Sequence, residues 1–437
     1  MKRIIAFLLL LTLTLTACAS KVVPPATETA ESAAATVESA TETIDAATAE
    51  EGFAEGHLTG IPDYTLPDGA DTALVRETAV RAMRDMISTR WTPSQDLKYN
   101  KDGAVSEKDF HFYKGRLYAG LPYTEAGGSL IQFLQYYDFE TGVVTVDPAH
   151  VNNLIGNVCG GAVMWGWAAV SHTLHGYFQS GYMTYAQGVI PVGSWTYPEN
   201  VETFHDYHTK RIVEENGEDV MMASYAQMKM ADGLTSSGDS SLGRHTMMAV
   251  ADAKVVYNNG RIDPDASTVL IQDQRGGGED DGIPTEEGGV TVRYSGRTEA
   301  SVTFRWLFDN HFVPLTVKEL TGEEPYQAPR IEFAGDASSI ASLLQSTVRS
   351  NLALCTVRMR VTEEGGKEVG GKFVNLTIRD TESGDAYDFP LNRFSLRKGD
   401  TLWCDTSLKA GKNYHLTLSA VSAAGSETAL ADLDFTK

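Results

Sequence analysis

The sequence predicts two folded units in series, an α+β domain and an all-β sandwich, behind a leader and a polar tether. Three observations carry this reading. Helical periodicity over 73–89 and an apolar helical pattern over 162–174 precede a strand–turn–strand run at 244–274, the mixed order of an α+β domain. From Leu352 onward the chain is short alternating strands and turns at sandwich-like spacing. Residues 19–60 are Ala, Thr, Ser and Glu with no aromatic until Phe53, too poor in large apolar side chains to offset the entropy of ordering them. The expected boundaries are a leader at 1–18, a disordered tether at 19–60, an α+β domain at 61–322 and a sandwich at 330–437. A chain of 437 residues has room for this, at roughly 150 residues per domain.

Charge narrows the function. With 36 Lys and Arg against 58 Asp and Glu, the formal balance is −22. Gripping nucleic acid or anionic lipid through the surface needs clustered cations, so neither is expected as a partner. Hydrophobic residues at 42% exclude a wholly disordered chain.

The leader has a basic start, Lys2 and Arg3, then the apolar stretch IIAFLLLLTLTLTA, the layout of a secretory signal. Its end, Leu15-Thr16-Ala17-Cys18, resembles a bacterial lipobox. The resemblance implies that Cys18 is lipidated and becomes the mature first residue, leaving the protein extracytoplasmic and anchored by acyl chains. The alternative is an ordinary signal in which Cys18 is incidental.

In the first domain, 73–89 carries Leu74, Ala79, Ala82, Met83 and Met86 at helical spacing, with Arg76, Glu77, Arg81, Arg84 and Asp85 on the other face. Trp91-Thr92-Pro93 stops that helix, the Gly- and Tyr-rich GRLYAGLPYT follows, and a second helix is expected over 129–137. After Asp147-Pro148 comes Gly156-Asn157-Val158-Cys159-Gly160-Gly161, leading into AVMWGWAAVSHTL. A helix apolar all round is buried, so Cys159 stands at the start of a central helix. Unpaired N–H groups and the positive dipole end there favour a thiolate, which a nucleophilic cysteine needs. Taken alone, Cys159 reads equally as a plain buried thiol.

A base changes the balance. RHTMMAVADAKVVYNNGRID reads as a strand and an Asn259-Gly260 turn, with TVLIQDQ as the return strand. His245 opens the first strand, while Gln272, Asp273 and Gln274 close the second. Ends of antiparallel neighbours meet, so one of that trio lies beside His245. A helix-start cysteine, a strand histidine and a polar neighbour are the general cysteine-hydrolase constellation.

Through GNVCGGAVMWGW, RHTMMAV and VLIQDQ, the region from Ala73 to Asp281 resembles the bacterial papain-like cell-wall hydrolases of the NlpC and CHAP superfamily. That resemblance implies a papain-like fold with Cys159 as nucleophile and His245 as base. Asp273 best matches the residue orienting the imidazole, with Gln272 and Gln274 as alternatives. It also implies peptidoglycan or a wall peptide as the substrate, cut by a monomer needing neither cofactor nor metal. The chain departs from the family at Val158 and Gly160, where Asp and Ser are common, and in a long Tyr-, Met- and His-rich insertion at 177–241. A transglutaminase-like core uses the same three residue types.

His172 with His175, and His205 with His208, have helical spacing but no evident third ligand, so they read as surface or packing residues. Gly276-Gly277-Gly278-Glu279-Asp280-Asp281 lacks the Lys-Ser or Lys-Thr of a phosphate loop and reads as a flexible acidic loop. In the second domain Cys355, Val357, Met359 and Val361 alternate with polar residues as a one-face-buried strand. LKAGKNYHLTLSA resembles the tyrosine corner of immunoglobulin and fibronectin type III folds, with Tyr414 at the corner. By parity Cys355 and Cys404 face inward, as a disulfide or as two buried thiols. Two functions follow: a tethered hydrolase of wall peptide or amide bonds, or a non-catalytic surface lipoprotein binding wall, glycan or host ligands.

Overall fold

A computed structural model describes residues 57–99, 110–123, 128–146, 156–174, 183–184, 188–198, 208–237, 244–275, 293–294, 296–343, 345–351, 354–363, 365–366, 368–377, 387–390, 409–425 and 427–436. The leader, Cys18, the tether up to residue 56, His175, His205, the 276–281 run and Cys404 lie outside the described residues, as does the Cys355 side chain. The fold is mixed α+β with several β-sheets and a sheet-rich C-terminal region. Among the described residues no helix is long and apolar enough to cross a membrane.

Helix α1 (Thr72–Ser88) starts where Asp71 caps it, its carboxylate accepting from the Ala73 N–H at 2.8 Å. Val75, Ala79, Met83 and Met86 are buried as their spacing requires, but two expectations for the helix fail. Leu74 is 43% exposed, and Arg76 is buried instead, donating to Asp232 at 3.0 Å and to the Met230 carbonyl. The helix is covered on its flank as well as beneath, and an arginine there buries its stem while its head finds acceptors.

The expected helix at 129–137 is one short turn, α2 (Leu130–Phe133), closed by a Ser129–Gln132 capping box and followed by a 3₁₀ turn at Leu134–Tyr136. Helix α3 (Cys159–Ala168) is buried along its whole length and stops before Leu174, although Val170 and Leu174 remain in the core. It packs on α1 at Gly166, where a Cβ would come within 3.1 Å of the Ala79 carbonyl.

Beneath lies a six-stranded antiparallel sheet: β1 (Val189–Pro191), β2 (Gly233–Ser237), β3 (Arg244–Ala249), β4 (Thr268–Gln274), β5 (Gly296–Thr303) and β6 (Val313–Val317), in the order β5-β4-β3-β2-β6-β1. Trp167 of α3 lies over Gly233, where a side chain would collide with the indole, and donates to the Ala231 carbonyl at 2.7 Å. The segment read as an insertion therefore supplies core structure. Strands β1 and β2 and helix α4 (Thr209–Tyr225) lie within it, and α4 buries Ile212, Val213, Met221 and Tyr225. The Asn259-Gly260 turn forms as expected, with φ of 50° and 78°, but it closes a small ribbon, Tyr257–Asn258 with Arg261–Ile262, rather than joining β3 to β4 directly.

A small sheet around buried Trp91 pairs Arg90–Pro93 with Tyr118–Ala119 and Val143–Val144. It leads into the loop at 120–123, which three elements hold. Gly120 and Leu121 donate to Thr89 and Met86 carbonyls at 2.8 Å, Gln274 donates to the Leu121 carbonyl, and the Asn157 N–H donates to that of Pro122.

The C-terminal region contains β7 (Ile331–Ala334), β8 (Thr347–Ser350), β9 (Leu354–Glu363), β10 (Glu368–Thr377), β11 (Tyr387–Pro390), β12 (Asn413–Ser422) and β13 (Glu427–Thr436). They form a sheet β7-β8-β11 and a sheet β10-β9-β12-β13. The Tyr64 N–H donates to the Ala424 carbonyl, and His172 bridges the carbonyls of Gln327 and Asn351, so contacts from the first region brace the second.

Candidate active site

Cys159 is the first residue of α3 and is 2% exposed. The preceding Val158 makes no side-chain hydrogen bond that caps the helix. The Tyr123 hydroxyl donates to Sγ at 3.7 Å. Tyr123 reaches it because the 120–123 loop runs beside the chain entering α3, with Tyr123 and Asn157 forming a parallel bridge.

His245 stands at the start of β3 and Asp273 near the end of β4, adjacent antiparallel strands registered at Ile271 with Ala249 and Gln272 with Met248. Imidazole Nε2 lies 2.7 Å from Asp273 Oδ2, and the Cys159 side chain is near enough to act on the same ring. The histidine thus stands with the carboxylate on one nitrogen and feels the sulfur as well. Of the three candidates for the third position, Asp273 is the one that meets His245. Strand alternation turns its neighbours away: Gln272 donates to the Val80 carbonyl of α1 and Gln274 to that of Leu121, each at 3.0 Å.

Sequence reasoning missed two arginines here. Arg297, paired with Asp273 across β4 and β5, grips both carboxylate oxygens, Nε to Oδ1 at 2.9 Å and Nη2 to Oδ2 at 2.7 Å. Arg275 adds Nε at 3.2 Å to Oδ2. No local signal marks Arg297, whose place depends on the β4–β5 register; Tyr123 lay in the noted GRLYAGLPYT passage without an assigned role.

Electrostatics follow from this packing. Burial pulls the His245 pKa down, but hydrogen bonds to Asp273 and Cys159 and their charges outweigh it, and the value rises to about 9. Burial pushes the fully buried Asp273 up, yet His245 and Arg297 hold it well below the usual carboxylate range. At neutral pH the arrangement therefore carries a fixed carboxylate and an imidazolium beside a helix-start sulfur. Such a site can deliver a thiolate to a carbonyl and a proton to a leaving group.

The histidines at helical spacing do other work. His172 ties backbone carbonyls together, and His208 precedes α4 with its ring 3.4 Å from Ser237 Oγ. No group of three or more His, Cys, Asp or Glu among the described residues could hold a metal ion. No protein-family model matches the chain, and a search of curated proteins finds no match either.

Proposed function

We propose that this chain is a lipid-anchored, extracytoplasmic cysteine hydrolase that cleaves peptide or amide bonds in peptidoglycan through a thioacyl-enzyme. The observation that carries the reading is the His245–Asp273 pair at 2.7 Å with the helix-start Cys159 acting on the same ring. A papain-like first domain is supported by a cysteine-initiated buried helix packed on antiparallel strands that carry the histidine and the carboxylate. An immunoglobulin- or fibronectin-like second domain is supported by its three- and four-stranded sheets. The Tyr414 hydroxyl, accepting from the Lys409 N–H at 2.6 Å, supports it as a tyrosine corner. The Cys18 anchor rests on the lipobox resemblance, and the wall substrate on the family resemblance.

In the proposed cycle the Cys159 thiolate adds to the amide carbonyl carbon, and the carbonyl π electrons move to oxygen. In this reading the Tyr123 hydroxyl, 3.7 Å from Sγ, donates to that oxyanion. The His245 imidazolium protonates the departing nitrogen as the C–N bond breaks, leaving a thioester. Neutral His245 then takes a proton from water, the hydroxide adds to the thioester, and C–S cleavage returns the thiolate beside the imidazolium. Throughout, Asp273 fixes the ring through Nε2, and Arg297 fixes Asp273.

The test is hydrolysis of purified wall or a stem-peptide mimic by wild type and Cys159→Ala. The substitution should lower the rate by at least about 10³-fold while leaving the circular dichroism spectrum unchanged, because the nucleophile has no substitute. A wild-type protein inert on every wall preparation, with Cys159 no more reactive than free cysteine, overturns the proposal.

A further inference from the structure

We propose that Arg275, beside the His245–Asp273 pair, forms an anion subsite that receives a carboxylate of the substrate, making the enzyme selective for acidic peptides or amides. The inference rests on the cysteine-hydrolase reading and specifies its substrate class. Around the single Asp273 carboxylate stand two guanidinium groups and an imidazole. Arg297 already satisfies both oxygens through Nε and Nη2. Arg275 is therefore surplus to holding Asp273. It touches Oδ2 through Nε alone, at the longest of the distances, and its side chain is 49% exposed.

Its two terminal amino groups meet no partner among the described residues, although a guanidinium fork matches a carboxylate in two parallel hydrogen bonds. Local charge points the same way. Among the described groups, two guanidinium groups and the His245 ring share the one Asp273 carboxylate, in a chain whose formal balance is −22. An anionic substrate repelled by the surface at large would thus find its attraction beside the His245–Asp273 pair.

The experiment compares alkylation of Cys159 in the full chain by 3-maleimidopropionate, which is anionic, and N-ethylmaleimide, which is neutral. Each rate is read from the Cys159 peptide by mass spectrometry and divided by that reagent's rate with free cysteine. At low ionic strength the anionic reagent should win by about three- to five-fold, the span expected for a partly exposed charge pair. The preference should shrink as salt screens it. Arg275→Gln should bring the ratio to about one, and Arg275→Lys, keeping charge but losing the fork, should retain part of it. A wild-type ratio near one, or one unchanged in Arg275→Gln, overturns the subsite and leaves the hydrolase reading standing. A Cys159 that reacts with neither reagent removes the hydrolase reading and the subsite with it.

Discussion

Asp232 and Asp273 are both buried and both paired with arginine, yet their surroundings drive them in opposite directions. At the α1–β2 junction, Asp232 accepts from Arg76 at 3.0 Å and from the Lys229 N–H at 2.7 Å, and burial still wins, pushing its pKa up. At the end of β4, burial is again the largest single influence on Asp273, but His245 and a two-pronged Arg297 together overcome it. The difference shows that the number of charge-assisted donors, more than depth, decides whether a buried acid is a fixed anion. A fixed anion is what an imidazolium requires; a single pair serves to tie a helix to a turn.

The sharpest way to break the contrast is Asp273→Asn. We expect wall hydrolysis to fall by about 10²- to 10⁴-fold, since an orienting carboxylate also holds the tautomer. The pH profile should move with it. His245 is raised in the fold, so its stabilisation is fully present below pH 6.5 and lost as pH rises through about 9. Without the carboxylate the imidazolium faces two guanidinium groups, and the alkaline limb should fall well below pH 9. A limb unchanged by the substitution would show that Asp273 does not govern the ring.

Arg76→Met tests the other side of the comparison. It leaves Asp232 buried without its cation and should cost about 3–5 kcal/mol in denaturant unfolding near pH 7. An acid raised further in the fold is least unfavourable when protonated. The deficit relative to wild type should therefore shrink as pH falls toward the Asp232 value and widen as pH rises. A loss below about 1 kcal/mol would mean that the junction relaxes enough to hydrate the carboxylate.

The smallest effect belongs to a pair in water. Arg305 meets Glu218 at 2.8 Å with both side chains about a third or more exposed. Arg305→Ala should shift unfolding by less than about 1 kcal/mol, because solvent screens the attraction and side-chain entropy offsets it. A larger loss would show that exposure underestimates how firmly α4 and the helix at Phe304–Asp309 depend on that contact.

How much of this could be read from the chain depends on range. The buried helix beginning at Cys159, the strands bearing His245 and Asp273, and the C-terminal alternation are local patterns. Period and β-branching impose them within a few residues. The choice of Asp273 over Gln272 and Gln274 needed the side to which each residue points once β4 is paired, and what waits there: an imidazole on one side, carbonyls of α1 and Leu121 on the other.

Arg297 joined the site through the β4–β5 register and Tyr123 through a loop pinned by Asn157 and Gln274, while Arg76 met Asp232 through burial of a helix flank that its own sequence marks as polar. The Asn259-Gly260 turn makes the same point from the other direction, since its dihedrals were legible while its place in the sheet was not. Local propensities act over a turn or a strand, whereas partners separated by tens or hundreds of residues are selected only when packing brings their surfaces together and desolvation demands that each charge find its match.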